Sequence, residues 1–305
     1  MDAYRELVWD AWISTSGSRQ AMADIPANKA QLLARVSDFD GGHTSRWLAA
    51  LSEQATYRAV RGPTGHTIHC VSERSFDDPS LVADLQLGLR LLGWMTQKTA
   101  VTWYWWDQEW PRSLPGSTEP RKEHLNGGWA IPGVPEVHVY RREEAHKVML
   151  HETIHALLLD VPPTLVDGPR SEFEGILGRR LWPHLGEAFT ELYAEWLWSI
   201  AGAASRSNAK ERWTYQLECS AGQAGAVWAR IRESKQDEDT NVFSYYILKW
   251  VLMKYTPIVL LSPAKTVNFW VSWWRAALPE LNRMADQAAA SGSNSAEIKM
   301  GMTCK

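Results

Sequence analysis

The segment that most constrains this chain spans residues 148–159, which read Val-Met-Leu-His-Glu-Thr-Ile-His-Ala-Leu-Leu-Leu. It is apolar on nearly every side, so a helix over it must be buried. Yet it carries two histidines and a glutamate. Buried polar groups are costly unless they find partners. Residues i and i+4 of a helix share a face, one turn apart. His151 and His155 therefore present two imidazoles to a common point, with Glu152 beside them. A metal ion at that point supplies the missing partners, and zinc suits two imidazoles completed by a carboxylate.

The rest of the pattern changes character near residue 143. Before it, residues 1–55 read as a helical N-terminal segment. Strand-like runs at 55–60 and 66–71 then flank the turn Gly62-Pro63-Thr64-Gly65. Asp78 or Ser80 can cap a helix running to Thr96, with Leu81, Leu85, Leu89, Leu91 and Leu92 as its apolar face. Residues 100–106 read as a strand, 111–130 as a long loop rich in Pro, Gly and Ser, and 136–140 as an alternating strand. After residue 143 helices dominate, at 143–160, 185–203, 209–234, 240–255 and 264–290. A loop is expected over 161–184, and a flexible tail after Ala290. The expected class is α+β. A small mixed sheet in the N-terminal half precedes the histidine-bearing helix and a mainly helical C-terminal half. The corresponding divisions are 1–55, 56–160, 161–290 and 291–305.

Composition removes several functions. The net charge is −3, with no basic stripe, so nucleic acid is not an expected partner. The most apolar stretch, residues 245–261, is broken by Lys249, Lys254 and Pro257. It falls short of the ~20 apolar residues of a membrane span. The N-terminus lacks the basic-then-apolar order of a signal peptide. Cys70, Cys219 and Cys304 are scattered and lack paired spacing. That argues against a disulfide framework and for a cytoplasmic or other reducing intracellular compartment. Of the 18 tryptophans, two clusters stand out, Trp103/Trp105/Trp106/Trp110 and Trp270/Trp273/Trp274. Packing is the expected role for both rather than a stacking platform.

The third metal ligand decides the chemistry. A site completed by a third histidine further along the same helix is excluded, because Leu158 and Val161 occupy the positions where Gly and His would stand. Downstream, Gly186–Tyr193 carries Glu187 and Glu191 at i and i+4, with Glu195 one turn further. Glu187 or Glu191 could ligate, leaving the other to hydrogen-bond a ligand imidazole and fix its orientation. An exposed acidic helix face would give the same pattern.

His151-Glu152-Thr153-Ile154-His155 followed by Glu187-Ala188-Phe189-Thr190-Glu191 resembles the gluzincin metallopeptidases. In these, the active-site helix is followed by a second helix bearing ExxxD or ExxxE. Residues 156–186 separate the two motifs here, a longer gap than in thermolysin-like members. The resemblance centres on residues 136–200. It implies a zincin-like fold and one zinc ion per chain, held by His151, His155 and Glu187, with Glu191 supporting a ligand histidine. It also implies Glu152 as general base and peptide-bond hydrolysis of a polypeptide substrate. In the family the substrate backbone lies antiparallel along an edge strand, and residues 136–140 stand in that position. A tyrosine or histidine from a later helix often stabilises the oxyanion. Tyr245 and Tyr246 are both available, and Tyr246 is the expected one. Together with Phe243-Ser244-Tyr245-Tyr246, the motifs also loosely resemble uncharacterised metallopeptidases of large DNA viruses and some protists. The alternative is a zinc-stabilised but inactive zincin-like scaffold that binds a partner, as in a viral assembly. His138, in the expected edge strand, would line the cleft. His146 would lie at the surface or near the site without ligating. His43, His66, His69, His124 and His184 have no ligand spacing.

Overall fold

The computed structural model describes residues 9–14, 22–26, 29–36, 42–50, 56–110, 112–114, 125–160, 163–178, 180, 186–232, 240–255, 270–290 and 298–299. The chain divides into two compact units. One comprises Asp2–Pro111 with Asn126–Leu159, the other Arg112–Leu125 with Asp160–Lys305. The class is α+β, with a six-stranded mixed sheet and a predominance of helix.

The first unit is built on that sheet. Its strands are β1 (Ala23–Ile25), β2 (Thr56–Arg61), β3 (Thr67–Ser72), β4 (Thr102–Asp107), β6 (Gly128–Ala130) and β7 (Glu136–Val139), in the spatial order β1-β2-β3-β4-β7-β6. β2 and β3, the two expected strands, pair as a hairpin with Gly65 at φ 85° in its turn. β3, β4 and β7 run parallel, and β6 pairs antiparallel with β7. Two parallel neighbours need a crossover. Between β3 and β4 this is a helix, Pro79–Met95, while Lys29–Leu33 (α1) and His43–Ala50 (α2) precede it as short helices. The crossover helix (α3) starts where expected: the Asp78 side chain accepts from Ser80 N–H and Pro79 sits in the first turn.

Alternation along β4 sorts its aromatics onto two faces. Tyr104 and Trp106 pack with Leu32, Val71 and Tyr140 on one side. Trp103 stacks on Trp105 with ring centroids 5.0 Å apart, and both meet His146 of the helix Ala145–Ala156 (α4). At the ends of β3 and β4, the fully buried Asp107 carboxylate accepts from Ser72 Oγ (2.5 Å), Arg74 Nε (2.7 Å) and Arg142 Nε (2.9 Å). A buried charge paired this completely holds the strand ends together.

The second unit is helical: α5 (Pro163–Leu177), α6 (Gly186–Ala201), α7 (Arg206–Ile231), a π-helical segment (Phe243–Leu248) running into α8 (Lys249–Tyr255), and α9 (Trp270–Ala290). Its core includes Phe173, Phe189, Leu192, Trp228, Phe243, Trp250, Trp270 and Trp274. The tryptophan clusters are therefore largely interior, as their packing role requires. No helix among the described residues is long and apolar enough to cross a membrane.

Several expectations are corrected. Residues 136–140 do not form the edge strand. β7 lies between β4 and β6, and the edge is β6, inside the segment expected to be a loop. The expected loop over 161–184 contains α5. The N-terminal segment contributes β1, the opposite sheet edge. Ile298–Lys299 (β8), within the expected flexible tail, pairs with Ser113–Leu114 (β5). Cys219 is disulfide-bonded, whereas Cys70 is free and buried. Linear spacing carries no trace of such a bond, because pairing depends on three-dimensional geometry. Cys304 lies outside the described residues.

Candidate metal centre

α4 carries the histidines as its apolar flanks demand. Nearly every residue from Ala145 to Ala156 is buried. Thr153, inside the motif, satisfies its own hydroxyl by donating to the Met149 carbonyl (2.7 Å). His151 is 5% and Glu152 8% exposed, and His155 is half-buried. The Nε2 atoms of His151 and His155 lie 3.1 Å apart, their rings nearly perpendicular at 70°. Two nitrogens bound to one tetrahedral zinc at ~2.0–2.1 Å stand ~3.4 Å from each other. The pair therefore fits such an ion with little movement.

Glu152 is positioned by its neighbours in the sheet. A Cβ added to Gly128 of β6 would lie 3.1 Å from Glu152 Cγ and 2.9 Å from Val148 Cγ1. The edge strand thus crosses the Val148/Glu152 face of α4 at its glycine. Nothing in the sequence around Gly127-Gly128 announces this, since the two segments meet only through the sheet.

α6 begins at Gly186, close to the expected start, and places Glu187 in its first turn. Glu187 is half-buried, while Glu191 and Glu195 are fully buried. The reading of this row as an exposed acidic face is thereby excluded. Lys249, also fully buried, sits with Nζ 3.8 Å from Glu195 Oε2. In the sequence its only signal is a lysine inside an apolar run. The helix expected over 240–255 is π-helical through Tyr245 and Tyr246, and the Lys249 N–H donates to the Ser244 carbonyl five residues back. Tyr246 is fully buried and Tyr245 8% exposed. π-helical turns concentrate at functional sites.

His151 and His155 of α4 offer two imidazole nitrogens, and Glu187 of α6 a carboxylate, as the residues that could hold a metal ion. Two imidazoles and a carboxylate are one of the donor sets zinc uses in catalytic sites with an open fourth position.

The remaining described histidines have structural roles. His66 accepts the Val101 N–H at Nδ1 and donates from Nε2 to the Thr96 carbonyl, both at 3.0 Å. Burial lowers its pKa. His146 is not at the surface. It is buried, with Nε2 2.8 Å from the Asp84 carbonyl of α3, and burial again lowers its pKa. His138 does not line a cleft. It lies in an interior strand between Trp129 (3.8 Å, 4°) and Tyr104 (5.0 Å, 15°). Burial, with a smaller contribution from the Arg35 cation, pushes its pKa down to about 3.

Comparison of the chain with known protein families, with curated proteins and with solved structures gives no match.

Proposed function

We propose that this protein is a zinc-dependent peptidase of gluzincin type with a zincin-like fold. One zinc ion per chain is held by His151, His155 and Glu187. The observation that carries the reading is the histidine pair of α4, whose Nε2 atoms stand 3.1 Å apart on a buried helix. A bound zinc would polarise the substrate carbonyl and make water more acidic.

The protein's own groups do the remaining work. Glu152, one residue from a ligand and largely shielded from solvent, takes a proton from the attacking water. It then delivers that proton to the leaving amine. Glu191, one turn from Glu187 on α6 and fully buried, orients a ligand imidazole. Tyr246 donates to the developing oxyanion. It shares a π-helical turn with Tyr245 and is the more deeply buried of the two.

A polypeptide substrate is supported by β6. It is an edge strand, and at Gly128 it passes directly over the stem of Glu152. An extended peptide pairing along that edge would bring its main chain to the general base.

The test joins metal analysis to hydrolysis of casein. The purified protein should contain one zinc per chain and cleave casein. Glu152→Gln should retain the zinc and lose activity by ~100-fold or more. A Glu152→Gln protein as active as the wild type would remove the role assigned to this residue. Stoichiometric zinc without any hydrolysis would favour the inactive-scaffold alternative.

A further inference from the structure

We infer that Gly128 is a positioning residue for Glu152, an assignment that rests on the proposed role of Glu152 as general base. Val148 and Glu152 are one turn apart and therefore share a face of α4. The backbone of β6 crosses that face at Gly128. A Cβ there would lie 2.5 Å from the His138 carbonyl oxygen of β7, 2.9 Å from Val148 Cγ1 and 3.1 Å from Glu152 Cγ. Three neighbours on two different elements fill the space at once. The first is backbone, which cannot swing aside as a side-chain tip can.

The consequence is geometric. With hydrogen in place of a methyl group, β6 packs directly on the aliphatic stem of Glu152, and that contact restricts where its carboxylate can stand. Any larger residue must separate β6 from β7 or push the Glu152 stem away. Either movement displaces the base relative to the edge on which a peptide would pair. The strand and the base are thus set by a single close approach, and the glycine is required for space. Its φ is not in the left-handed region, unlike that of Gly133 at φ 80° in the turn that follows β6.

Gly133 supplies the control. It lies in the same hairpin, and an added Cβ would meet only Leu158 Cδ1 at 3.6 Å. Gly133→Ala therefore strains the hairpin without touching Glu152. The experiment compares zinc-loaded wild type, Gly128→Ala and Gly133→Ala. Three quantities are read: the carboxyl carbon resonance of Glu152 in protein labelled at its glutamates, assigned by Glu152→Gln; zinc content; and kcat and KM on a quenched fluorescent peptide mixture. Gly128→Ala should keep its zinc, shift the Glu152 resonance, and lower kcat by about 10- to 100-fold with KM nearly unchanged. Gly133→Ala should leave the resonance and kcat at wild-type values even if its melting temperature falls. A Glu152 resonance in Gly128→Ala identical to that in Gly133→Ala overturns the inference.

Failure of all three proteins to cleave any peptide would count against the proposed function, while the resonance would still decide the role of Gly128. Should Gly128→Ala not fold, the wild type decides. A nuclear Overhauser contact between the Gly128 α-protons and the Glu152 γ-protons is expected, and its absence overturns the inference.

Discussion

His138 is held between aromatic faces rather than by charge. Along one register of the sheet, His69, Tyr104, His138 and Trp129 stand opposite one another on β3, β4, β7 and β6. Their rings stack successively at 5.2, 5.0 and 3.8 Å. Such a row accommodates a neutral imidazole and resists a charged one. With its pKa pushed to about 3, His138 stays neutral in the folded state while the unfolded chain takes up a proton near pH 6.5. The unfolded state therefore binds more protons between these values, and stability falls as pH falls. This residue alone should contribute a loss of about 1.4 kcal/mol per pH unit through that window, levelling off below it. Urea unfolding at pH 7, 5 and 4 should show a shallower acid decline for His138→Phe than for wild type. Equal declines would show that the imidazole is not held neutral. In the sequence, Glu-Val-His-Val-Tyr announced a strand but not its place. A period of two fixes which residues share a face and says nothing about which strands lie on either side.

At the scale of elements, what was legible depended on how local the determinants were. α3 could be read almost residue by residue, because an Asp cap, a Pro in the first turn and a leucine stripe are all nearby signals. α4 and its histidine pair were legible for the same reason: i and i+4 meet within one turn. α5 was missed because Pro163, Gly168 and Pro169 read as breakers; Pro163 stands in the first turn, where proline is tolerated, while Gly168 and Pro169 lie within the helix. β6 was missed because three residues, Gly-Trp-Ala, carry too little pattern to mark a strand. The π-helical turn before α8 escaped because its five-residue hydrogen bond is invisible to an amphipathic count. One contact that fastens α8 to α6 can be tested. Lys249 and Glu195 are both fully buried and face each other at 3.8 Å. Lys249→Met removes the cation opposite Glu195 and should cost about 3–5 kcal/mol, since a buried carboxylate then loses its counter-charge. Replacing both, as Lys249→Met with Glu195→Leu, should recover most of that loss. Denaturant unfolding of the two variants measures the difference. A single variant as stable as the wild type would show that the pair does not fasten these helices.

For the whole molecule, the sequence announced an α+β chain without a membrane helix. It placed the metal motif on a helix directly after a strand of the sheet. It could not announce the disulfide at Cys219, or the pairing of β5 with β8, which joins segments far apart in sequence. The proposed metal makes a prediction at this scale. A ligand that binds only the folded state stabilises all of it by mass action, adding ~2.7 kcal/mol when present at 100 times its dissociation constant. Stripping the protein with a chelator should therefore lower its melting temperature, and returning zinc should restore it. The size of that zinc-dependent increment separates the residue roles without any assay of activity. Glu187→Ala removes a proposed ligand and should shrink the increment sharply, as should His151→Ala. Glu152→Gln leaves the proposed ligand set intact and should keep the increment at its wild-type size. Calorimetry of the stripped and zinc-loaded forms of each variant distinguishes these cases. An increment in Glu187→Ala equal to that of the wild type would remove Glu187 from the ligand set, and with it the carboxylate completion on which the gluzincin reading depends.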